Sequence, residues 1–212
     1  LTDAHGSPVT EGCVGAGTGT TCFGWKGGIG SASRVLPAAG GGFTVGALVQ
    51  SNFGSPEQLI FGGVHVGAQL RPPATPALRQ PEQGSIMIVL ATDAPLTARQ
   101  LHRLCVRAAA GIARTGSHIG HGSGDFVIAF STAQRFPHRL EGEEMPLIAH
   151  GPFLLDEPRA MHWLLPAVVE AVEEAVLNSL CTATTMSGRD GHVRHPLPLD
   201  AVAKILEESR EA

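Results

Sequence analysis

A glycine followed by a serine, Gly84–Ser85, opens an apolar segment and is the residue pair with the clearest chemical potential in this sequence. A serine at the start of a chain can act as a nucleophile, because a neighbouring base or its own α-amine, with an ordinary pKa of about 8, can accept the proton. Such a terminus forms when an N-to-O acyl shift cuts the chain before the serine. Gly84 supplies the backbone freedom that a strained bond needs, and the four prolines between Arg71 and Glu82 predict a surface linker that lets the new end move away. Taken alone, the pair is more often the polar start of a strand.

A second set of candidate residues lies in the turn "GSGD", where Ser123 and Asp125 are two residues apart. At the entrance of a strand, residues with this spacing point the same way, so a hydroxyl and a carboxylate can handle one proton together. The alternative is a hydrogen-bonded turn with a strand cap. Asn52, in "QSNFG", is by itself typical of an Asx turn that closes a strand.

Other chemistries have weaker support. His118 and His121 could be metal ligands, but no third ligand has a suitable spacing. The glycines of residues 14–20 superficially resemble a dinucleotide loop, yet no strand precedes them and no helix with a following acidic residue comes after them. A net charge of -4 without a Lys/Arg cluster gives no reason to expect nucleic acid. We therefore expect no cofactor, no metal and no nucleic acid.

The first eighty residues are rich in glycine. Residues 12–34 are predicted to be loop-like, with tight turns. Residues 42–54 predict a strand that ends in a polar turn at Ser51–Asn52. Residues 58–70 predict a second strand, broken or bulged at Gly62–Gly63.

After the linker the pattern changes to apolar strands and amphipathic helices. A helix is expected from an N-cap at Thr97 to a stop at Gly116. The other predicted elements are strands in residues 86–91 and 122–132, a long helix over residues 158–185 with a kink at Pro166, and a last helix over residues 198–210, capped near Asp200. Strands that are apolar on both sides, together with such helices, predict layered sheets covered by helices.

Length and composition limit the class of protein. A chain of 212 residues suits one domain with a real core. No apolar run reaches the roughly 18 residues of a membrane span, so no membrane partner is expected. Four cysteines without C-x-x-C spacing favour a reducing, cytoplasmic compartment. The sequence begins without a methionine or a signal peptide, and we expect it to be the later part of a longer protein.

Five motifs, in order along nearly the whole chain, resemble those of the autoprocessed serine aminopeptidases of the DmpA type, peptidase family P1 or S58, which include the β-peptidyl aminopeptidases. They are "GTGTTCFGWKGGIGSASR", "VGALVQSNFG", "GSIMIVLATDAPL", "GHGSGDFVIAFST" and "LNSLCTATTMSGRDGH". The resemblance implies a four-layer α/β/β/α sandwich of the N-terminal-nucleophile type. It also implies a single hydrolase domain, residues 1–212, cut into a part ending at Gly84 and a part, residues 85–212, beginning at the nucleophile.

The resemblance also implies roles for the candidate residues. Ser85 would be the nucleophile both of self-cleavage and of hydrolysis through an acyl-enzyme. Ser123 and Asp125 would position protons around Ser85, and Asp125 would pair with the substrate's free amine. Asn52 would stabilise the oxyanion through its amide. The implied activity is release of N-terminal residues, L-α, D or β, from small peptides, aminoacyl amides or esters, without a cofactor, by a homo-oligomer of cleaved pairs.

In one respect the sequence departs from the family. The family's oxyanion site is completed by a tyrosine from an upstream portion, whereas this chain contains no tyrosine. An inactive or truncated relative that acts as an assembly module therefore stays open as an interpretation. A separate alternative is an amidase that uses the same nucleophile on other oligoamides.

Overall fold

The computed structural model describes residues 6–73, 84–135 and 151–211. In chain order the strands are β1 (Thr21–Cys22), β2 (Trp25–Lys26), β3 (Ile29–Val35), β4 (Thr44–Asn52), β5 (Ser85–Thr92), β6 (Phe126–Ser131), β7 (Met186–Ser187) and β8 (Val193–Arg194), and the α-helices are α1 (Ala98–Arg114), α2 (Glu157–Cys181) and α3 (Leu199–Glu211). Strands β3 to β6 form one sheet in the order β3-β4-β5-β6, and β1–β2 and β7–β8 form two small hairpins.

The central sheet is antiparallel from β3 to β5 and parallel between β5 and β6. A parallel neighbour requires a crossover connection, and α1 lies in the chain between β5 and β6. This helix begins at the predicted N-cap, Thr97, which forms a capping box with Gln100. It ends before Gly116, whose φ of +100° is in the region that favours glycine.

One face of the sheet forms the hydrophobic core. Side chains alternate along each strand, so Val49, Ile86, Ile88 and Leu90 point to the same side and are almost fully buried. Helix α2 packs against β3, β4 and α1. The central part of its buried side is made of small and β-branched residues, which let the helix approach closely: Ala167, Val168, Ala171, Val172, Ala175 and Val176.

The other face of the sheet is open among the described residues. It carries apolar side chains that are between 37% and 61% exposed, namely Leu48, Met87, Phe126, Ile128 and Phe130. We refer to this side, on which Ser85 and Asn52 also lie, as the open face. The α/β class predicted from the sequence is confirmed, and the described residues supply one helix layer and one sheet layer of the expected four.

Two predictions about the first eighty residues are wrong. Residues 12–34 are not simply a loop, because they contain β1, β2 and most of β3. Residues 58–70 do not form a strand, since Phe61 pairs only with Val64 and Gly62 and Gly63 have positive φ. A segment with such a tight turn offers no continuous edge for a partner strand.

The other elements agree with the sequence. Strands β4 and β6 lie within the predicted segments, and β5 is one residue longer at each end than predicted. Helix α2 continues through Pro166 and ends at Cys181, four residues before the predicted end. Most of the predicted linker lies outside the described residues. Hairpin β7–β8 was not predicted. No helix in the described ranges is long and apolar enough to cross a membrane.

Candidate active site

Ser85 is the first residue of β5, at one end of the open face. Its hydroxyl donates a hydrogen bond to the carbonyl oxygen of Gly84 at 2.6 Å. The backbone N–H of Gly124 donates to Ser85 Oγ at 3.2 Å and to the oxygen of Gly84 at 3.2 Å. The hydroxyl therefore lies beside the peptide carbonyl that precedes it, and one backbone donor serves both oxygens.

Gly84 sits too close to its neighbours for any larger residue. A Cβ on this residue would lie 2.8 Å from Phe53 Cα and 2.9 Å from the carbonyl oxygen of Asn52. Such contacts cannot be relieved by rotating a side chain, because both involve backbone atoms. Glycine at this position therefore allows a close approach to the end of β4, in addition to the backbone freedom expected from the sequence.

Ser123 and Asp125 are brought together immediately before β6. Ser123 Oγ donates to Asp125 Oδ1 at 2.6 Å, and the same carboxylate oxygen accepts the N–H of Ile86 at 3.2 Å. Because Ile86 is the residue after Ser85, this hydrogen bond holds the Asp125 carboxylate next to the candidate nucleophile. Gly124, between the two residues, contacts Ser85 directly. The side chains of Ser85, Ser123 and Asp125 are half-buried.

Asn52 is the last residue of β4 and pairs directly with Ser85 across the two strands. Directly opposed residues of an antiparallel pair place their side chains on one face, with Cβ atoms about 5 Å apart. The N–H of Thr21 donates to Asn52 Oδ1 at 3.0 Å. An N–H needs an acceptor, so this contact fixes which end of the amide is oxygen and leaves the Nδ2 donor at the other end.

Sequence reasoning missed the residues that support Asn52. Arg194, in β8, donates from Nε to Thr21 Oγ1 at 3.2 Å. Ser51, the residue before Asn52, is fully buried and shares a 2.7 Å hydroxyl contact with Ser179 of α2. Nothing in the local pattern around Thr21 or Arg194 indicates these contacts, because they join segments far apart in the chain.

Lys26 is also a missed residue, and it is only 1% exposed. Its Nζ donates to the carbonyl oxygens of Gly17, Thr20 and Gly27 at 2.7, 2.9 and 2.6 Å. Burial lowers the pKa of this ammonium group, an effect that nearby Cys13 and Cys22 oppose. The sequence signal for this buried lysine is its position between Trp25 and two glycines. A cation in such an apolar segment is buried only where hydrogen-bond acceptors surround it.

A cavity of about 260 Å³ lies between the glycine-rich segment before β1 and hairpin β7–β8. Its lining residues are Thr18, Gly19, Thr20, Thr21, Lys26, Met186, Ser187, Gly188, His192 and Arg194. Thr21 connects this cavity to Asn52. His118 and His121, the metal candidates of the sequence, belong to no group of three metal-ligating residues within the described parts of the chain.

Comparisons with known proteins identify the family of the chain. The model of peptidase family S58 matches residues 1–194. The chain is 39% identical over 218 residues to the β-peptidyl aminopeptidase BapA of Sphingosinicella xenopeptidilytica, covering 98% of this chain and 53% of that protein. The chain thus spans about half the length of the curated relatives it matches.

Solved structures give the same result for the fold. A β-aminopeptidase from a Burkholderia species superposes with a TM-score of 0.84 at 39% identity, over 98% of this chain and 56% of the other. The L-aminopeptidase D-Ala-esterase/amidase of Ochrobactrum anthropi, described as a variant of the Ntn hydrolase fold, has a TM-score of 0.84 at 39% identity, over 97% and 54% of the two chains. The chain shares this fold, and on the family match and these identities it belongs to peptidase family S58.

Proposed function

We propose that this chain is part of a self-cleaving serine aminopeptidase whose nucleophile is Ser85. The observation that carries the proposal is the contact of Ser85 Oγ with the Gly84 carbonyl at 2.6 Å, under a shared N–H donor from Gly124. Membership of family S58 and the names of the relatives support an aminopeptidase activity.

Self-cleavage follows from this contact in two balanced steps. In the first, Ser85 Oγ attacks the Gly84 carbonyl carbon, the C–N bond to Ser85 breaks, and the hydroxyl proton ends on the freed amine. In the second, water hydrolyses the resulting ester and releases Gly84 as a carboxylate. The Gly124 N–H already points at the oxygen that becomes negative during the attack.

Cleavage would turn Ser85 into an N-terminal residue with its own base. The α-amine, with an ordinary pKa of about 8, accepts the hydroxyl proton as Oγ attacks a substrate carbonyl. Ser123 and Asp125 hold the segment around Ser85 and complete a proton-handling group. Asn52, opposite Ser85, donates from Nδ2 to the substrate oxyanion.

The substrates in this proposal are peptides, amides or esters with a free N-terminal amino group. Asp125 supplies the negative charge that recognises the amine, since a half-buried carboxylate next to the nucleophile favours an ammonium partner. An amidase acting on other oligoamides would use the same nucleophile without needing that amine. The two are separated by a panel of α-, β- and longer-spaced aminoacyl amides beside their desamino analogues.

The test is intact-mass analysis of the purified protein and of a Ser85→Ala variant, followed by hydrolysis of aminoacyl p-nitroanilides. We expect two fragments divided between Gly84 and Ser85 in the wild type and a single species in the variant. Ser131→Ala is a matched control, because Ser131 is a serine at the far end of β6 that donates to the carbonyl of Ala94. A single stable species in the wild type would favour an inactive relative that acts as an assembly module.

A further inference from the structure

The inference concerns Lys26 and rests on the proposed role of Asn52. One peptide group connects the two residues. The Lys26 ammonium donates to the carbonyl oxygen of Thr20 at 2.9 Å, and the N–H of Thr21 donates to Asn52 Oδ1 at 3.0 Å. The Thr20 oxygen and the Thr21 N–H belong to one peptide group, so the cation lies at one end of that group and Asn52 at the other.

We propose that Lys26 is a positioning residue that strengthens the oxyanion donor of Asn52 through this peptide group. A cation on a carbonyl oxygen withdraws electron density from the amide and makes its N–H a stronger donor. The Thr21 N–H in turn polarises the Asn52 amide at Oδ1, so the Nδ2 hydrogens at the far end become stronger donors as well. The Thr20–Thr21 peptide group and the Asn52 side-chain amide are called the amide chain below.

The surroundings of Lys26 keep its charge effective. Its side chain is 1% exposed, so water does not screen it. Among residues 6–73, 84–135 and 151–211 no carboxylate forms an ion pair with it. Two thiols, Cys13 and Cys22, face it, and burial holds the Cys22 thiol protonated at neutral pH. His192 and Arg194 line the same cavity, and neither carries a negative charge. The three ligands of the ammonium are therefore neutral carbonyls, and its positive charge is not cancelled locally.

The same contacts also hold the glycine-rich segment before β1 in place. The test must therefore separate the effect of the Lys26 charge on kcat from the effect of these contacts on folding. Lys26→Met removes the charge and keeps the side-chain length, whereas Lys26→Arg keeps the charge. Thr18→Val is the matched structural control, because it removes a 2.8 Å hydroxyl bond to the Gly15 carbonyl within the same glycine-rich segment. It alters neither the cation nor the amide chain.

The kinetic expectation follows from Coulomb's law. A unit charge on the order of 12 Å from the oxyanion, with an effective dielectric constant of about 20, changes the rate by about tenfold. We therefore expect Lys26→Met to lower kcat for an aminoacyl p-nitroanilide by about tenfold with KM unchanged. Lys26→Arg is expected to recover most of that loss, and Thr18→Val to lower the unfolding midpoint while leaving kcat within about twofold. Equal losses of kcat in Lys26→Met and Thr18→Val would overturn the proposal.

A spectroscopic measurement tests the amide chain independently of hydrolysis. The sequence contains two asparagines, Asn52 and Asn178, so asparagine-selective ¹⁵N labelling gives an internal control within the chain. Asn178 Nδ2 donates to the Ser31 carbonyl, which is not part of the amide chain. We expect the Asn52 side-chain amide proton to move upfield in Lys26→Met, while Asn178 does not move. An unchanged Asn52 resonance would overturn the proposal, whatever the activity of the protein.

If Lys26→Met does not fold, a Cys13→Ala/Cys22→Ala variant, which retains Lys26 and lacks the facing thiols, carries the test through the titration of Lys26. Lys26 and Lys204 are the two lysines of the sequence, and the Lys204 side chain is 77% exposed. The Asn52 amide resonance in this variant is expected to follow the titration of Lys26, not that of Lys204. Failure to follow Lys26 would overturn the inference. A protein that lacks hydrolysis but shows the coupling would overturn the proposed function alone.

Discussion

Gly124 and Ser85 are in contact in two ways: the Gly124 N–H donates to Ser85 Oγ at 3.2 Å, and a Cβ added to Gly124 would lie 3.3 Å from the same oxygen. The Gly124 N–H can approach Ser85 Oγ because Gly124 has no side chain. The position between Ser123 and Asp125 is therefore restricted by the Ser85 hydroxyl.

Gly124→Ala is expected to slow self-cleavage about threefold to tenfold, because Ser85 Oγ must move by a few tenths of an ångström from its contact with the Gly84 carbonyl. The measurement is the fraction of cut chain over time by intact mass. Gly19→Ala is the control, since no atom lies within 4 Å of a Cβ there. An unchanged rate in Gly124→Ala would mean that Ser85 tolerates this displacement.

Asp125→Asn is expected to reduce hydrolysis of aminoacyl p-nitroanilides by about a hundredfold or more, because the Ser123 hydroxyl and the Ile86 N–H lose a charged acceptor. If Asp125 also recognises the substrate amine, KM rises for aminoacyl substrates and not for their desamino analogues. Steady-state kinetics on both substrate series measure the difference. Equal KM changes in the two series would contradict amine recognition by this residue.

Cys22 is expected to make the folded chain less stable at alkaline pH. Burial raises the pKa of its thiol from 9.0 to about 12. Between these values the unfolded chain releases the proton while the folded chain retains it, so the free energy of unfolding falls by about 1.4 kcal/mol per pH unit. Lys26 acts in the opposite direction, because its lowered pKa makes the folded chain release a proton first.

Urea unfolding of wild type and Cys22→Ala between pH 8 and 11 isolates this contribution, since Cys105 and Cys181, whose thiol pKa values are also raised by burial, are present in both proteins. The stability of Cys22→Ala is expected to decline less steeply above pH 9. Parallel curves for the two proteins would show that the Cys22 thiol does not titrate differently on folding.

Gly30→Ala is expected to destabilise the fold by about 3 kcal/mol, because it overpacks the contact between β3 and α2. A Cβ at Gly30 would lie 1.9 Å from the carbonyl oxygen of Ala175, a backbone atom. Gly46→Ala is the matched control in β4, since its nearest neighbour lies at 4.0 Å on the open face. Chemical denaturation of both variants measures the effect, and similar midpoints would show that α2 shifts without cost.

The sequence offered candidate residues for the site but not the contacts that hold them. Ser85, Ser123 and Asp125 could be chosen because their types and short spacings carry chemistry locally. The pairing of Asn52 with Ser85 depends on strand register across a linker, and the register is determined by which face is buried. That information is distributed over the whole sheet, so no local motif contains it.

The supporting residues were missed for a related reason. Thr21 and Lys26 lie in two-residue strands among glycines, where no alternation of polar and apolar residues can develop. Residues 58–70 had the composition of a strand but no partner, and β-propensity is expressed only where an edge is available. Local patterns therefore predicted the long elements β5, α1 and α2 well, whereas contacts between distant segments determined the rest.

The eight residue pairs between β4 and β5 determine how the two products of a cut at Gly84–Ser85 would associate and refold. One product would carry β3 and β4 and the other β5 and β6, with α2 of the second product packed on both strands of the first. The two products would be interleaved within one core and would copurify as a heterodimer. Refolding from separated products would then be a bimolecular reaction that depends on concentration, whereas the uncut chain folds by itself. Cutting would thus make refolding slower at low protein concentration, although it would remove no layer of the folded structure.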